Sequence, residues 1–155
     1  MSLIHQTLYQ SQNFAQVDFQ RFLGELLPRL TESYGARSRQ VHIDIRSTDV
    51  KLPINEAIPC GLIVNELVSN ALKHGFPHDQ SGTVLVEIRQ NDEQAVELSI
   101  SDDGQGIPPD MDLDKSDSLG LQLVHLLTRQ LHGELHVQRD NPTRFTLKFR
   151  MGDKA

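Results

Sequence analysis

The stretch Asn65-Glu66-Leu67-Val68-Ser69-Asn70-Ala71-Leu72-Lys73-His74 lies in an apolar run that ends at Gly75-Phe76-Pro77. A helix turns by about 100° per residue, which places Glu66, Asn70 and Lys73 on one narrow stripe. The opposite side is apolar and consists of Cys60, Ile63, Val64, Leu67, Val68 and Ala71. Polar groups on such a helix need a partner wherever water is withdrawn. Two interpretations stay open: the solvated side of an ordinary amphipathic helix, or a site where the Asn70 carbonyl oxygen and the Lys73 charge meet hydrated Mg²⁺ and a polyphosphate.

Two later stretches favour the second interpretation. Ser101-Asp102-Asp103-Gly104-Gln105-Gly106-Ile107-Pro108 follows an alternating strand pattern, so a carboxylate and two glycines stand at a strand end. A fixed carboxylate can accept a hydrogen bond from the amino group of adenine, and glycines let the backbone come close to a ligand. In Ser118-Leu119-Gly120-Leu121-Gln122-Leu123-Val124 a glycine stands at the start of another apolar helix, where free N–H groups bind anions. Together the three stretches predict a nucleotide site.

The composition is typical of one globular domain. The 155 residues are 37% hydrophobic and 23% charged, and the formal net charge of -6 argues against a generic nucleic-acid surface. The single cysteine, Cys60, excludes an internal disulfide and fits a reducing compartment. No apolar run is long enough to cross a bilayer, and the N-terminus has no secretory pattern. We expect a cytoplasmic domain, while the sequence leaves open whether a longer protein is anchored in a membrane.

Hydrophobic periodicity divides the chain into alternating helices and strands. Residues 4–12 predict the end of a helix whose start is missing. Asp18 predicts the N-cap of a helix to about Tyr34, and Asn55 predicts the N-cap of the central helix. Strands are predicted at 41–46, 83–89, 95–101, 134–138 and 144–149, with a last helix at 119–131 and a polar loop at 108–117. The predicted fold class is α+β: a two-layer α/β sandwich with a mixed, mostly antiparallel sheet and about three helices on one face.

The three stretches, in this order and spacing, resemble the ATP-binding catalytic domain of sensor histidine kinases. This family belongs to the GHKL group, with gyrase and mismatch-repair ATPases. Asn65 to His74 resembles the N-box, Asp102-x-Gly104-x-Gly106 the first glycine box, and Ser118-Leu119-Gly120-Leu121 the second. The Asn65-Glu66-Leu67 opening and the Ile4-His5-x-x-Leu8-Tyr9 tail are similar to the HisKA_2 class. The resemblance implies the end of an upstream dimerisation helix plus a linker at residues 1–17, and the ATP-binding catalytic domain at residues 18–151.

The resemblance also implies a role for each matched residue. Asn70 would coordinate Mg²⁺, Asp102 would accept a hydrogen bond from the adenine amino group, and Glu66 stands where the ATPases of the group keep their general base. For Glu66, a catalytic base, a contact to Mg²⁺-bound water and a structural acid all remain open. Further ATP contacts are implied for Lys73, His74, Gly104, Gly106, Ser118, Leu119, Gly120, Leu121 and Thr143.

The implied function is transfer of the γ-phosphoryl group of ATP to a histidine on an upstream helical domain, which would pass it to a response regulator. None of the seven histidines has the sequence context of the acceptor, so we expect that this chain binds ATP and Mg²⁺ without phosphorylating itself. Two departures from the family pattern are Ser118, in place of a glycine, and Pro142, in place of the glycine before Thr143. A serine kinase of the anti-sigma type and a non-catalytic nucleotide-sensing module remain as alternatives.

Overall fold

A five-stranded sheet and three helices make up the body of the chain in a computed structural model, which describes residues 16–33, 40–76, 80–91, 94–107, 119–140 and 142–151. In chain order, the elements are β1 (Gln16–Asp18), α1 (Phe19–Ser33), β2 (Val41–Ser47), β3 (Lys51–Pro53), α2 (Ile54–Asn70), a π-helical turn (Ala71–Gly75), β4 (Gly82–Gln90), β5 (Ala95–Asp102), α3 (Leu119–Gln130), β6 (Glu134–Gln138) and β7 (Thr143–Arg150). The predictions for residues 4–12 and for the loop at 108–117 lie outside the described residues. None of the described helices is long and apolar enough to cross a membrane.

The five strands lie in the order β2-β4-β5-β7-β6. The edge strand β2 runs parallel to β4, and the other neighbouring strands are antiparallel. The β4–β5 and β6–β7 neighbours follow each other in the chain, so two local hairpin connections build most of the sheet. This topology confirms the predicted mixed, mostly antiparallel sheet and the α+β class.

One face of the sheet packs against the helices and the other face is polar. Val84, Val86 and Ile88 on β4 are fully buried, and Leu98 and Ile100 on β5 lie beside them in register. Side chains alternate between the two faces of a strand, which places Glu87, Arg89 and Glu97 on the other face. A single hydrophobic core therefore lies between the sheet and the helices.

Helix α1 confirms its predicted start. The Asp18 carboxylate accepts a hydrogen bond from the Arg21 backbone N–H at 3.3 Å, as an N-cap residue does. The described part of the helix runs to Ser33 and contains Pro28, and the predicted end at about Tyr34 lies outside the described residues. Its buried side contributes Phe19, Phe22, Leu23, Leu26, Leu27 and Leu30 to the core.

Three features of the fold differ from the sequence predictions. Helix α2 begins at Ile54 after Pro53, with no side-chain cap bond, so the prediction that Asn55 caps this helix is wrong. Pro53 itself occupies the N-cap position, with φ -54° and ψ 147°, and its side chain has no acceptor for the first N–H groups of the helix. The short strands β1 and β3 pair in a separate antiparallel sheet, which the sequence analysis missed. The end of α2 also widens into the π-helical turn instead of continuing as an α-helix to Gly75.

Candidate functional site

A cavity of roughly 280 Å³ lies between the C-terminal end of α2, the end of β5 and the starts of α3 and β7. Its walls are mostly apolar, and a few polar groups converge on it, as in many small-molecule sites. The lining residues are Leu67, Asn70, Ala71, His74, Gly75, Ile100, Asp102, Gln105, Gly106, Ile107, Leu121, Thr143 and Phe145.

The polar stripe of α2 reaches the cavity at its C-terminal end. Asn70 is half-buried and lines the cavity, and Glu66 is half-buried one turn earlier. The π-helical turn then follows, and its exposed residues Lys73 and His74 lie at its end. A π-helical turn contains more residues per turn than an α-helix, so it shifts the positions that follow it around the helix axis. His74 lines the cavity here, whereas Lys73 does not.

Asp102, the last residue of β5, is half-buried in the cavity lining, and its carboxylate lies beside Gly75, where an added Cβ would be 3.3 Å from Oδ1. Burial raises the pKa of its carboxyl group; the hydrogen bond from the Gly104 backbone N–H opposes this rise, and the charge of Asp103 adds to it. The bond from Gly104 to Oδ1 measures 2.9 Å and fixes the orientation of the carboxylate. A carboxylate accepts several hydrogen bonds, so Asp102 can also receive one from a donor in the cavity.

The loop after Asp102 packs directly on the π-helical turn. A Cβ atom at Gly104 would lie 2.0 Å from the carbonyl oxygen of Gly75, so only glycine fits at this contact. The Gln105 backbone N–H donates to the same Gly75 oxygen at 2.8 Å, and the Gln105 side chain donates to the His74 carbonyl oxygen at 2.6 Å. These contacts join the end of β5 to the end of α2.

The other side of the loop packs on the turn between β6 and β7. Gly106 has a φ of +83°, which favours glycine, and a Cβ there would lie 3.1 Å from the carbonyl oxygen of Arg139. The Ile107 backbone N–H and the Thr143 hydroxyl both donate to that oxygen, at 2.8 and 3.0 Å. The loop is therefore held between two parts of the fold, with the cavity beside it.

Asp103 serves the sheet and not the cavity. Its carboxylate accepts a hydrogen bond from the Thr83 backbone N–H at 2.8 Å, and its own backbone N–H donates to the Thr83 carbonyl oxygen at 3.3 Å. These bonds extend the β4–β5 pairing by one residue beyond Asp102. The two neighbouring aspartates therefore differ in role, because Asp102 lines the cavity and Asp103 does not.

The structure brings together residues from all three sequence motifs. The predicted site residues that line the cavity are Asn70, His74, Asp102, Gly106, Leu121 and Thr143. Four other predicted site residues do not line it: Glu66, Lys73, Gly104 and Gly120. Gly104 nevertheless contacts Asp102, and Gly120 lies in the first turn of α3. Ser118 and the side chain of Leu119 lie outside the described residues. The roles assigned to all these residues remain predictions.

Sequence analysis missed Gln105 and most of the apolar wall of the cavity. The apolar residues of this wall include Leu67, Ala71, Ile100, Ile107 and Phe145. The alternation of β5 could have identified Ile100, since it lies two residues before Asp102 on the same face of the sheet. Phe145 pairs with Ile100 across β5 and β7, a register that no local pattern reveals.

The polar groups of the cavity fit a magnesium ion that is held mainly by the phosphates of a bound substrate and by water. Among the described residues, no group of three or more His, Cys, Asp or Glu side chains could form a metal site. Mg²⁺ commonly keeps several waters and binds one or two protein groups together with substrate phosphates. The half-buried Asn70 supplies one side-chain oxygen of this kind at the cavity wall.

Comparisons with known proteins agree with this geometry. A family model described as histidine kinase-, DNA gyrase B- and HSP90-like ATPase matches residues 55–153, and a histidine kinase model of the HisKA_2 class matches residues 1–34. The first match contains α2, the loop after β5 and α3, which are the elements around the cavity.

Individual relatives are histidine kinases of bacteria. Blue-light-activated histidine kinase 2 of Erythrobacter litoralis is 31% identical over 118 residues, which are 76% of this chain and 34% of the relative. Sensor histidine kinase PdtaS of Mycobacterium tuberculosis is 29% identical over an alignment of 159 residues, which covers 100% of this chain and 31% of the relative. The chain thus spans about a third of the length of these curated relatives.

A solved structure extends the similarity to the fold. The histidine kinase domain of the Erythrobacter litoralis EL346 blue-light activated histidine kinase superimposes with a TM-score of 0.84 at 26% identity, covering 94% of this chain and 75% of that one. Family match, sequence relatives and fold agree with one another and with the cavity. The chain belongs to the histidine kinase-, DNA gyrase B- and HSP90-like ATPase family and is homologous to the domains of sensor histidine kinases.

Proposed function

We propose that this chain is the ATP-binding catalytic domain of a two-component sensor histidine kinase, which transfers the γ-phosphoryl group of ATP to a histidine of an upstream helical domain. The observation that carries this proposal is the convergence of Asn70 and Asp102 on one cavity, from two separate sequence motifs. An oriented carboxylate suits the amino group of adenine, and the apolar wall suits the base itself. The amide of Asn70 is a second polar group in the cavity lining.

The polar residues of the cavity and around it have distinct tasks in this proposal. Asp102 accepts a hydrogen bond from the adenine amino group, and Thr143 stands beside Asp102 in register on β7. Asn70 would hold Mg²⁺, which, when bound, neutralises charge on the phosphate groups. The phosphate groups would be contacted by Lys73, by His74 and by the start of α3 at Gly120. Glu66 stands one turn before Asn70 as the candidate general base. Phosphoryl transfer asks a protein mainly to position the reacting groups and to neutralise their charge.

The acceptor and the later partners belong to the same proposal. The match of residues 1–34 to the HisKA_2 histidine kinase model supports a histidine-bearing dimerisation domain that would include residues 1–17 and precede the catalytic domain at 18–151. That domain would then phosphorylate a response regulator. A cytoplasmic site of action fits the supply of ATP and the single cysteine, Cys60, which is buried.

The HisKA_2 match also distinguishes this proposal from its alternatives. A serine kinase of the anti-sigma type and a non-catalytic nucleotide-sensing module need no histidine-bearing helical domain. Phosphorylation of a partner serine in the absence of such a domain would favour the former. Tight ATP binding without phosphoryl transfer would favour the latter.

The test mixes this chain with a separately produced HisKA_2 domain of the longer protein and radiolabelled ATP. We expect a phosphohistidine on the added domain, which is stable in alkali and lost in acid, whereas phosphoserine shows the reverse. Asn70→Ala should weaken Mg²⁺-ATP binding by about tenfold, through loss of one ligand of the ion, and should leave binding measured in EDTA almost unchanged. Equal weakening with and without Mg²⁺ would contradict the metal role of Asn70.

A further inference from the structure

Gln105 makes two contacts with the end of α2 from a loop at the end of β5. Its side-chain amide donates to the carbonyl oxygen of His74 at 2.6 Å, and its backbone N–H donates to that of Gly75 at 2.8 Å. Carbonyl groups in the last turn of a helix have no partner further along the helix. Gln105 donates a hydrogen bond to one of these carbonyl groups, that of His74, from 31 residues away in the sequence.

The contacts of Gln105 join two segments that line the cavity. Gln105 stands three residues after Asp102, and His74 stands four residues after Asn70. The two contacts therefore join the segment that carries the proposed adenine acceptor to the segment that carries the proposed metal ligand. Both Gln105 and His74 line the cavity.

The exposure of Gln105 argues that it contributes little to the stability of the fold. Its side chain is exposed, and a hydrogen bond between neutral groups contributes little net free energy to folding because water competes for both groups. The backbone contact of Gly104 with Gly75 and the backbone bond from Gln105 do not depend on the side chain. Loss of the side chain should thus loosen the junction without unfolding the domain.

We infer that Gln105 is a positioning residue, which sets the spacing between Asp102 and Asn70 through its hydrogen bond to the His74 carbonyl group. The inference rests on the proposed nucleotide function. A ligand that contacts both Asp102 and Asn70 depends on their spacing, whereas a ligand that contacts only one of them does not. Mg²⁺-ATP is a ligand of the first kind and adenosine is one of the second kind.

The test compares Gln105→Met with Gln105→Ala. Methionine keeps the length of the side chain and lacks the donor, whereas alanine removes both. Gln130, an exposed glutamine at the end of α3, provides the control variant Gln130→Ala. We expect both Gln105 variants to bind Mg²⁺-ATP about fivefold more weakly, as loss of one hydrogen bond predicts, and adenosine within about twofold of the original chain. Gln130→Ala should match the original chain for both ligands.

Other results would overturn the inference. Equal weakening of Mg²⁺-ATP and adenosine would make Gln105 a contact of the base. Weakening in Gln105→Ala alone would make the side chain a packing group. Unchanged binding of both ligands in both variants would remove any role for the side chain.

A measurement without nucleotide separates failure of this inference from failure of the proposed function. In Gln105→Met, we expect faster amide hydrogen exchange across residues 71–76 and unchanged exchange in α3, because the contact with the π-helical turn is lost. If exchange is faster in Gln105→Met but the original chain binds no ATP, the contact is supported and the nucleotide function is refuted. Unchanged exchange would refute the contact itself, whatever the chain binds.

Discussion

The central strand β5 has a concavity at each of its ends, of roughly 370 Å³ beside Ala95 and roughly 280 Å³ beside Asp102. The larger one is lined by charged residues of both signs that are exposed, among them Glu134, Lys148 and Arg150. In the smaller one, the polar groups of Asn70 and Asp102 are half-buried. Burial makes polar groups costly unless a partner meets them, so a ligand gains more from the smaller concavity. Converging, partly buried polar groups therefore distinguish the candidate site from the depression beside Ala95.

Glycines at the two ends show the same contrast. Near Ala95, Gly133 approaches the backbone of β7, where an added Cβ would lie 2.8 Å from the Lys148 carbonyl oxygen. Its N–H donates to the Thr128 carbonyl oxygen and so ends α3, which follows the usual pattern for a helix C-terminus. Near Asp102, Gly104 and Gly106 instead hold a loop beside the cavity. Close backbone approach therefore serves packing at one end and the site at the other.

The largest effect is expected from Gly104→Ala, which would push the two walls of the smaller concavity apart. The new Cβ would lie 2.0 Å from the Gly75 carbonyl oxygen, and backbone on both sides must shift. We expect a loss of about 3 kcal/mol in the free energy of unfolding, as for severe overpacking, together with loss of ATP binding. Denaturant unfolding measures the first quantity and calorimetric titration the second.

Gly24→Ala is the matched control for this substitution. Gly24 lies exposed in α1, and a Cβ there would meet nothing within 4 Å. Alanine favours helix over glycine by up to about 1 kcal/mol, so this variant should be slightly more stable. Equal stability of the two variants would mean that the junction between β5 and α2 tolerates movement.

The next effect is expected from Asp102→Asn, which keeps the shape of the side chain and removes its charge. Hydrogen bonds to charged groups contribute about 1.5–3 kcal/mol, so ATP affinity should fall by about 10- to 100-fold. Because burial raises the pKa of Asp102, its charge is unfavourable in the folded protein, and the variant should be no less stable than the original. Calorimetric titration tests the expected loss of ATP affinity, and thermal unfolding tests the expected absence of any loss of stability.

The neighbouring Asp103→Asn substitution provides the control. Asp103 serves as an acceptor for the Thr83 backbone N–H, a task that the asparagine oxygen can also perform. We expect affinity within about threefold of the original chain. Equal loss of affinity in the two variants would reject Asp102 as the specific acceptor for adenine.

A smaller effect, dependent on pH, follows from the raised pKa of Asp102. The pKa of the folded state lies above the ordinary value of 3.8, so the folded protein holds the proton more tightly than the unfolded chain. The contribution of Asp102 to stability is therefore greatest below pH 3.8 and is lost as the pH rises through the raised pKa. ATP affinity should change in the opposite direction and fall as the pH drops through the same window, since a protonated carboxyl group is a poorer acceptor. Titrations of the original chain and of Asp102→Asn across this range measure the difference, and identical pH profiles would contradict the assignment.

Much of the smaller concavity was predictable because its motifs are local in sequence. Asn70 follows from helical periodicity and Asp102 from the end of an alternating strand. The π-helical turn at Ala71–Gly75 was not predictable, because apolar residues at helical spacing fit either kind of helix. The contacts of Gln105 and Phe145 depend on the packing of distant elements, which no local pattern specifies. The β1–β3 pairing was missed for a similar reason, since each strand has only three residues.

The smallest effect is expected at the other end of β5, from Lys148→Thr. Lys148 is exposed on β7, in register with Glu97 on β5 and Glu134 on β6. Its loss removes cross-strand charge pairs that contribute about 0.2–1 kcal/mol each, while threonine suits a strand. Stability should fall by less than about 1 kcal/mol and ATP affinity should stay within about twofold, as thermal unfolding and titration would show. A large loss of ATP affinity would mean that the two concavities are coupled through β5, and the contrast between a site and a surface depression would no longer hold.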